Sequence, residues 1–162
     1  DYNDPYGKII RLYLHGKLKL TQDRIFWSHF INQLKDRELI GNSLRDGYFV
    51  ISDRYHMSNV AYNSGVHLPA DKAVKTASLF RLPKPNLIFY LDIDSETSMK
   101  RKLKEKGRLD LNERDKLKLA HAAENYRKLA KRNVWSQWFI IDGSKKINDV
   151  KADIINILKN YI

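Results

Sequence analysis

The residues with the most evident chemistry lie between Val50 and Asn63. Here an apolar run gives way to the acid–base pair Asp53-Arg54 and then to a helical pattern. A carboxylate beside a guanidinium suits phosphate chemistry. The carboxylate can hold a magnesium ion or its waters, and the planar guanidinium offers a fork to phosphate oxygens. The bland alternative for a single such dipeptide is a surface ion pair, so the elements that position it carry much of the weight. Tyr48, Phe49, Val50 and Ile51 follow the turn pair Asp46-Gly47 and read as a buried parallel strand. That reading puts Asp53 and Arg54 at the carboxyl end of a strand, where open α/β sheets bind ligands. Ser58 is the expected N-cap of the helix that follows.

The longer pattern Asp53-Arg54-Tyr55-x-x-Ser58-x-x-Ala61-Tyr62 is more specific than the pair, and with it the chain resembles the thymidylate kinases, whose monophosphate site carries that pattern. Other segments resemble the family in the same order. They are Pro5-Tyr6-Gly7-Lys8-Ile9-Ile10-Arg11 at a helix start, Arg24 in the position that reads a base edge, Lys84 to Asp92, the basic run 100–108 and Ile141-Asp142-Gly143-Ser144. Leu20 departs from the family, standing where a base-stacking Phe is usual.

The resemblance implies a P-loop nucleoside-monophosphate-kinase-like α/β fold, with three layers built on a parallel sheet flanked by helices. It implies transfer of the γ-phosphoryl group of ATP to dTMP to give dTDP. Asp53 would orient Mg2+, directly or through water, and Arg54 would hold the acceptor phosphate. Arg24, Tyr55, Ser58, Tyr62 and Asn63 would line the acceptor site, Tyr62 beside the sugar. Lid arginines drawn from Arg101, Arg108 and Arg114 would neutralise charge on the phosphoryl group, Arg108 being the best placed. Gly143 and Ser144 would lie in the loop that touches adenine. The resemblance also allows a homodimer.

One family element has no counterpart. The seven glycines are scattered, and no Gly-x-x-x-x-Gly-Lys-Ser/Thr occurs, although the backbone of such a loop cradles phosphates. A strand, that loop, a helix and a second strand would need roughly 35 to 40 residues. The expectation is therefore a single thymidylate-kinase-like domain over 1–162 that lacks the P-loop and the first two strands, with a lid around 100–114. On that expectation the 162 residues alone would not turn over ATP. The alternative is a P-loop-free relative that binds a nucleotide or nucleic acid without catalysis.

Composition bounds these readings. A chain of 162 residues, 43% hydrophobic and 11% aromatic, can bury a core. It contains no apolar run near membrane-spanning length and no signal pattern, so a membrane partner is not expected. The absence of cysteine excludes disulfides and thiolate metal sites and is compatible with the cytoplasmic location we expect. The net charge of +11 favours polyanionic partners in general. Nucleic acid is disfavoured among them, because the cations concentrate between Lys100 and Arg108 and no recognition motif is present.

The remaining elements follow from periodicity. Helices are expected over Tyr6 to Leu14, over Thr21 to Arg37 with Trp27, Phe30, Ile31 and Leu34 inward, and over Ala70 to Phe80. A second buried strand covers Asn86 to Asp94, with Asp94 or Ser95 capping the next helix. A long helix runs from Glu113 to Arg132, a third strand and turn occupy Trp138 to Ser144, and a closing helix carries Ile147, Val150, Ile154, Ile157 and Leu158. His56 and His67 form no metal constellation.

Overall fold

A computed structural model describes residues 4–65 and 68–161; His67 lies outside them. The chain divides into two compact units, one of residues 1–84 with 110–112, the other of residues 85–109 with 113–162.

The first unit is helical. Helix α1 (Pro5–Leu14) starts where expected: Pro5 occupies its first turn, and Asp4 Oδ1 accepts from the backbone N–H groups of Tyr6 at 2.8 Å and Gly7 at 2.9 Å. Thr21 caps α2 (Gln22–Leu34) by accepting from the Arg24 N–H. The contact between these helices is built on Ile10, Tyr13 and Ile25, with Leu14 and Leu20 packed against it. Leu20 is thus part of the apolar packing between α1 and α2.

The inward face of α2 is not the expected one. Ile25, Phe26 and Phe30 are buried, whereas Trp27 and Ile31 are exposed. Ile25, Phe26 and Trp27 are consecutive and Phe30 and Ile31 follow, so periodicity admits more than one face, and the partners α1 and α4 (His56–Asn63) select among them. A further helix, α3 (Arg37–Arg45), follows with no buried residue, its start tied to the end of α5 (Ala70–Leu79) by a bond from Arg37 Nη1 to the Phe80 carbonyl at 2.9 Å.

Residues 48–51 do not form the expected strand. Phe49 is 79% and Ile51 95% exposed. A parallel strand needs a ladder partner, and the run has none among the described residues, whose single sheet contains two other strands. The helix after it also begins earlier than expected. Tyr55, extended, is the N-cap of α4, and Ser58 lies inside the first turn.

The second unit is α/β. Strands β1 (Leu87–Asp92) and β2 (Gln137–Asp142) are parallel and pair from Leu87↔Gln137 to Asp92↔Asp142. Both fall where the sequence puts them, but β1 is not fully buried, and Leu91 and Ile140 are exposed. Asp94 caps α6 (Ser95–Lys106) by accepting from the Thr97 N–H at 2.8 Å, and Gly107 ends the helix at φ 67°, a left-handed position that glycine adopts without strain. The basic run is therefore largely helical.

The long helix expected from Glu113 breaks at Asp115. A short helix α7 (Leu111–Arg114) precedes it, and the Asp115 carboxylate accepts from the Lys118 N–H at 3.0 Å to start α8 (Lys116–Lys131). An aspartate that can cap competes with helix continuation. Ala122, Leu129 and Ala130 are the buried residues of α8. The closing helix α9 (Ile147–Leu158) forms as expected. No helix among the described residues is long and apolar enough to cross a membrane.

Candidate functional site

Two clusters of polar side chains stand out, one in each unit.

The first is the head of α4. Asp53 and Arg54 are exposed in the loop before it. Arg54 takes a left-handed backbone conformation (φ 58°), which is uncommon for a residue with a Cβ. Its guanidinium carbon stands 5.5 Å from the centroid of the Tyr62 ring, two turns into the helix. Cation and ring attract at that separation, which fixes the fork of donors above the helix. Tyr55 is half-buried, and burial, reinforced by the Asp36 carboxylate, raises its phenol above the usual value. It is a neutral hydroxyl at physiological pH.

The interior of this cluster is a polar lattice on a buried face. His56, Asn59, Val60 and Asn63 are all buried, at the i, i+3, i+4, i+7 spacing of one helical face. Asn59 Nδ2 donates to the Phe26 carbonyl at 2.9 Å and so bonds α4 to the backbone of α2. Asn63 Nδ2 donates to Asn59 Oδ1 at 3.0 Å. Of the acceptor-site residues expected from the sequence, Arg54 and Tyr62 are brought together, and Ser58 sits one turn before Tyr62. Asn63 is committed to Asn59 inside the unit. Arg24 is exposed in the first turn of α2.

Three residues of the lattice escaped the sequence reading: His56, Asn59 and Gln33. Their signal was present as helical spacing, but a pattern that counts only apolar residues passes over buried amides and imidazoles. His56 Nδ1 lies 3.2 Å from Gln33 Oε1 on α2, and Nε2 lies 3.2 Å from the Ala73 carbonyl on α5.

The second cluster is the carboxyl end of the two-stranded sheet. The register places Asp92 and Asp142 side by side. Arg127 on α8 donates to both oxygens of Asp92, at 2.8 Å each, and Tyr90 adds a bond to the same carboxylate at 3.1 Å. The Arg127 guanidinium is the main reason the Asp92 carboxyl is held below the ordinary carboxylate range. Asp142 Oδ1 accepts from both the Ser144 N–H (2.9 Å) and its hydroxyl (2.6 Å), which also lowers its proton affinity. Both carboxylates are thus ionised at neutral pH.

Arg101 of α6 reaches the same edge. Its Nη1 donates to the Gly143 carbonyl at 2.6 Å and its Nη2 to the Ser144 carbonyl at 2.8 Å. Close approach favours glycine at 143: its N–H donates to the Asp92 carbonyl at 2.8 Å, and an added Cβ would meet that oxygen at 3.1 Å and Ile93 Cβ at 3.3 Å. The structure therefore joins Arg101, expected as a lid cation, to Gly143 and Ser144, expected in a separate loop, and makes Arg101 a clamp on the turn. Arg108 follows the Gly107 cap in an exposed turn, and Arg114 ends α7. The Asp92–Arg127 pair was not legible in advance, since its members lie 35 residues apart.

No group of three or more His, Asp or Glu side chains among the described residues could hold a metal. The exposed carboxylate of Asp53 does fit magnesium, which is commonly held by one or two carboxylates together with waters and substrate phosphates.

The thymidylate kinase family profile matches residues 2–154 of the chain. A thymidylate kinase of Thermosipho africanus (strain TCF52B) is 33% identical over 127 residues, which cover 77% of this chain and 62% of the relative. One of Legionella pneumophila (strain Corby) is 30% identical over 128 residues, 77% of this chain and 59% of the relative. One of Dictyostelium discoideum is 28% identical over 157 residues, 97% of this chain and 67% of the relative. The matched part thus spans about three fifths of the first two relatives.

Proposed function

The chain belongs to the thymidylate kinase family, and from that premise we propose that it serves the transfer of the ATP γ-phosphoryl group to dTMP in a P-loop-type kinase. The observation that carries the reading is the head of α4. There Arg54, next in sequence to Asp53, is held in a left-handed conformation with its guanidinium over Tyr62. Phosphoryl transfer needs little covalent chemistry from the protein and depends on positioned charge. In this reading Arg54 offers paired donors to the acceptor phosphate, and Asp53 holds magnesium, directly or through its waters. The metal, when bound, would neutralise charge on the transferring phosphates.

Tyr62 serves two ends here. Its ring steadies Arg54, and its place next to Ser58 on the outer side of α4 suits the sugar of a deoxynucleotide. Tyr55, with its hydroxyl buried, shapes the head of α4. In the second unit we assign the turn at Gly143 and Ser144, braced by Arg101, to the adenine end of ATP, with Arg108 and Arg114 as the lid cations. Leu20, packed between α1 and α2, leaves base stacking to another side chain. A homodimer and a cytoplasmic location complete the proposal.

The test is a coupled assay on the protein expressed in full from its gene, comparing dTMP with dUMP, UMP and CMP as acceptors. Preference for dTMP supports the reading. Equal use of all four would overturn the thymidine preference, and dTMP binding without ADP release would point instead to a nucleotide-binding relative without catalysis.

A further inference from the structure

We propose that His56 is a positioning residue for the acceptor site, a buried pin that sets the head of α4 and, through it, the Asp53-Arg54 pair. The inference rests on the acceptor-site reading above. His56 is fully buried and is the first residue of α4, two positions after Arg54. Its ring bridges two other helices, through Nδ1 to Gln33 of α2 and through Nε2 to the Ala73 carbonyl of α5, each at 3.2 Å.

The chemistry of the bridge fixes the tautomer. A carbonyl only accepts, so Nε2 carries the proton. Nδ1 then accepts, and a half-turn of the Gln33 amide presents its NH2 there in place of Oε1. The ring also packs edge-on to Phe26 (6.0 Å) and Phe30 (5.5 Å), so it has little freedom to rotate. Arg54 stands at φ 58°, a left-handed conformation that a residue with a Cβ keeps only when its surroundings determine it. The chain enters that conformation immediately before an element that His56 pins from two sides. The pin thus holds the backbone two residues beyond Arg54, while Tyr62 steadies the guanidinium itself.

His56→Phe keeps the ring and removes both bonds, while His56→Gln can still donate to the Ala73 carbonyl. In the full-length protein, His56→Phe is expected to raise the KM for dTMP about tenfold, and to leave kcat and the KM for ATP within about twofold. His56→Gln should recover most of the loss. An unchanged dTMP KM in folded His56→Phe, or equal shifts in both KM values and kcat, would overturn the proposal. Should His56→Phe fail to fold, Gln33→Met, which removes one bond from outside the acceptor site, is expected to raise the dTMP KM about threefold, and no change would count against the pin. Backbone amide exchange over residues 54–58 gives a readout independent of catalysis. If the unaltered protein does not use dTMP the acceptor-site reading fails by itself, whereas unchanged exchange in His56→Phe refutes the pin.

Discussion

Acidification should weaken the first unit through one side chain. Burial pushes the His56 imidazole from its ordinary value of 6.5 down to about 4. In the unfolded chain the ring takes up a proton as pH falls through its ordinary range, while the folded chain excludes that proton until near pH 4. Between those values the unfolded state binds more protons, so folding stability is complete above the ordinary value and is lost as pH falls toward the folded one. The gap, at ~1.36 kcal/mol for each tenfold change in proton affinity, bounds the effect at about 3 kcal/mol. From about pH 7 to about pH 5 the loss should be about 2 kcal/mol. His56→Gln removes the titration and leaves every carboxylate in place, so it isolates this contribution from general acid destabilisation. Urea unfolding of fluorotryptophan-labelled protein, read at Trp27 of the first unit, would supply both curves. Parallel curves for the two proteins, within about 0.5 kcal/mol over that range, would refute the argument. So would an imidazole resonance of His56 that titrates at its ordinary value.

Three further outcomes are expected. Phe30 is 1% exposed and contacts the rings of Phe26, Trp27, His56 and Phe80, so Phe30→Ala should cost about 3 to 5 kcal/mol in urea unfolding of the first unit. Gly143→Ala should destabilise the second unit by about 1 kcal/mol or more, since the new methyl meets the backbone of β1; an unchanged midpoint of unfolding would show that the turn can give way. Arg54→Lys should lower kcat/KM for dTMP about 100-fold, equivalent to about 2.7 kcal/mol, because a point charge cannot replace a planar fork. Steady-state kinetics that match the unaltered protein would make Arg54 a surface cation.

What the sequence by itself determined is what a few neighbouring residues encode. Asp4 with Pro5, Thr21 and Asp94 can each start a helix through bonds to amides two or three residues away, and the strands at Leu87 and Gln137 announce themselves by short apolar runs. Asp53-Arg54 was legible for the same reason, as a local pattern joined to the helical spacing behind it. Residues 48–51 show the limit of that information. Their composition suits a buried strand, yet a strand exists only through its ladder partners, and the run stands exposed. The inward face of α2, the His56 bridge from α2 to α5, and the bonds of Arg127 to Asp92 and of Arg101 to Gly143 were decided by tertiary structure alone. The last two join residues 35 and 42 positions apart. Cations are abundant along α6 and α8, and their residue type is the same whether they meet water or a carboxylate. Only the packing of those helices on the sheet edge determines which guanidinium reaches Asp92 and which one holds the turn at Gly143.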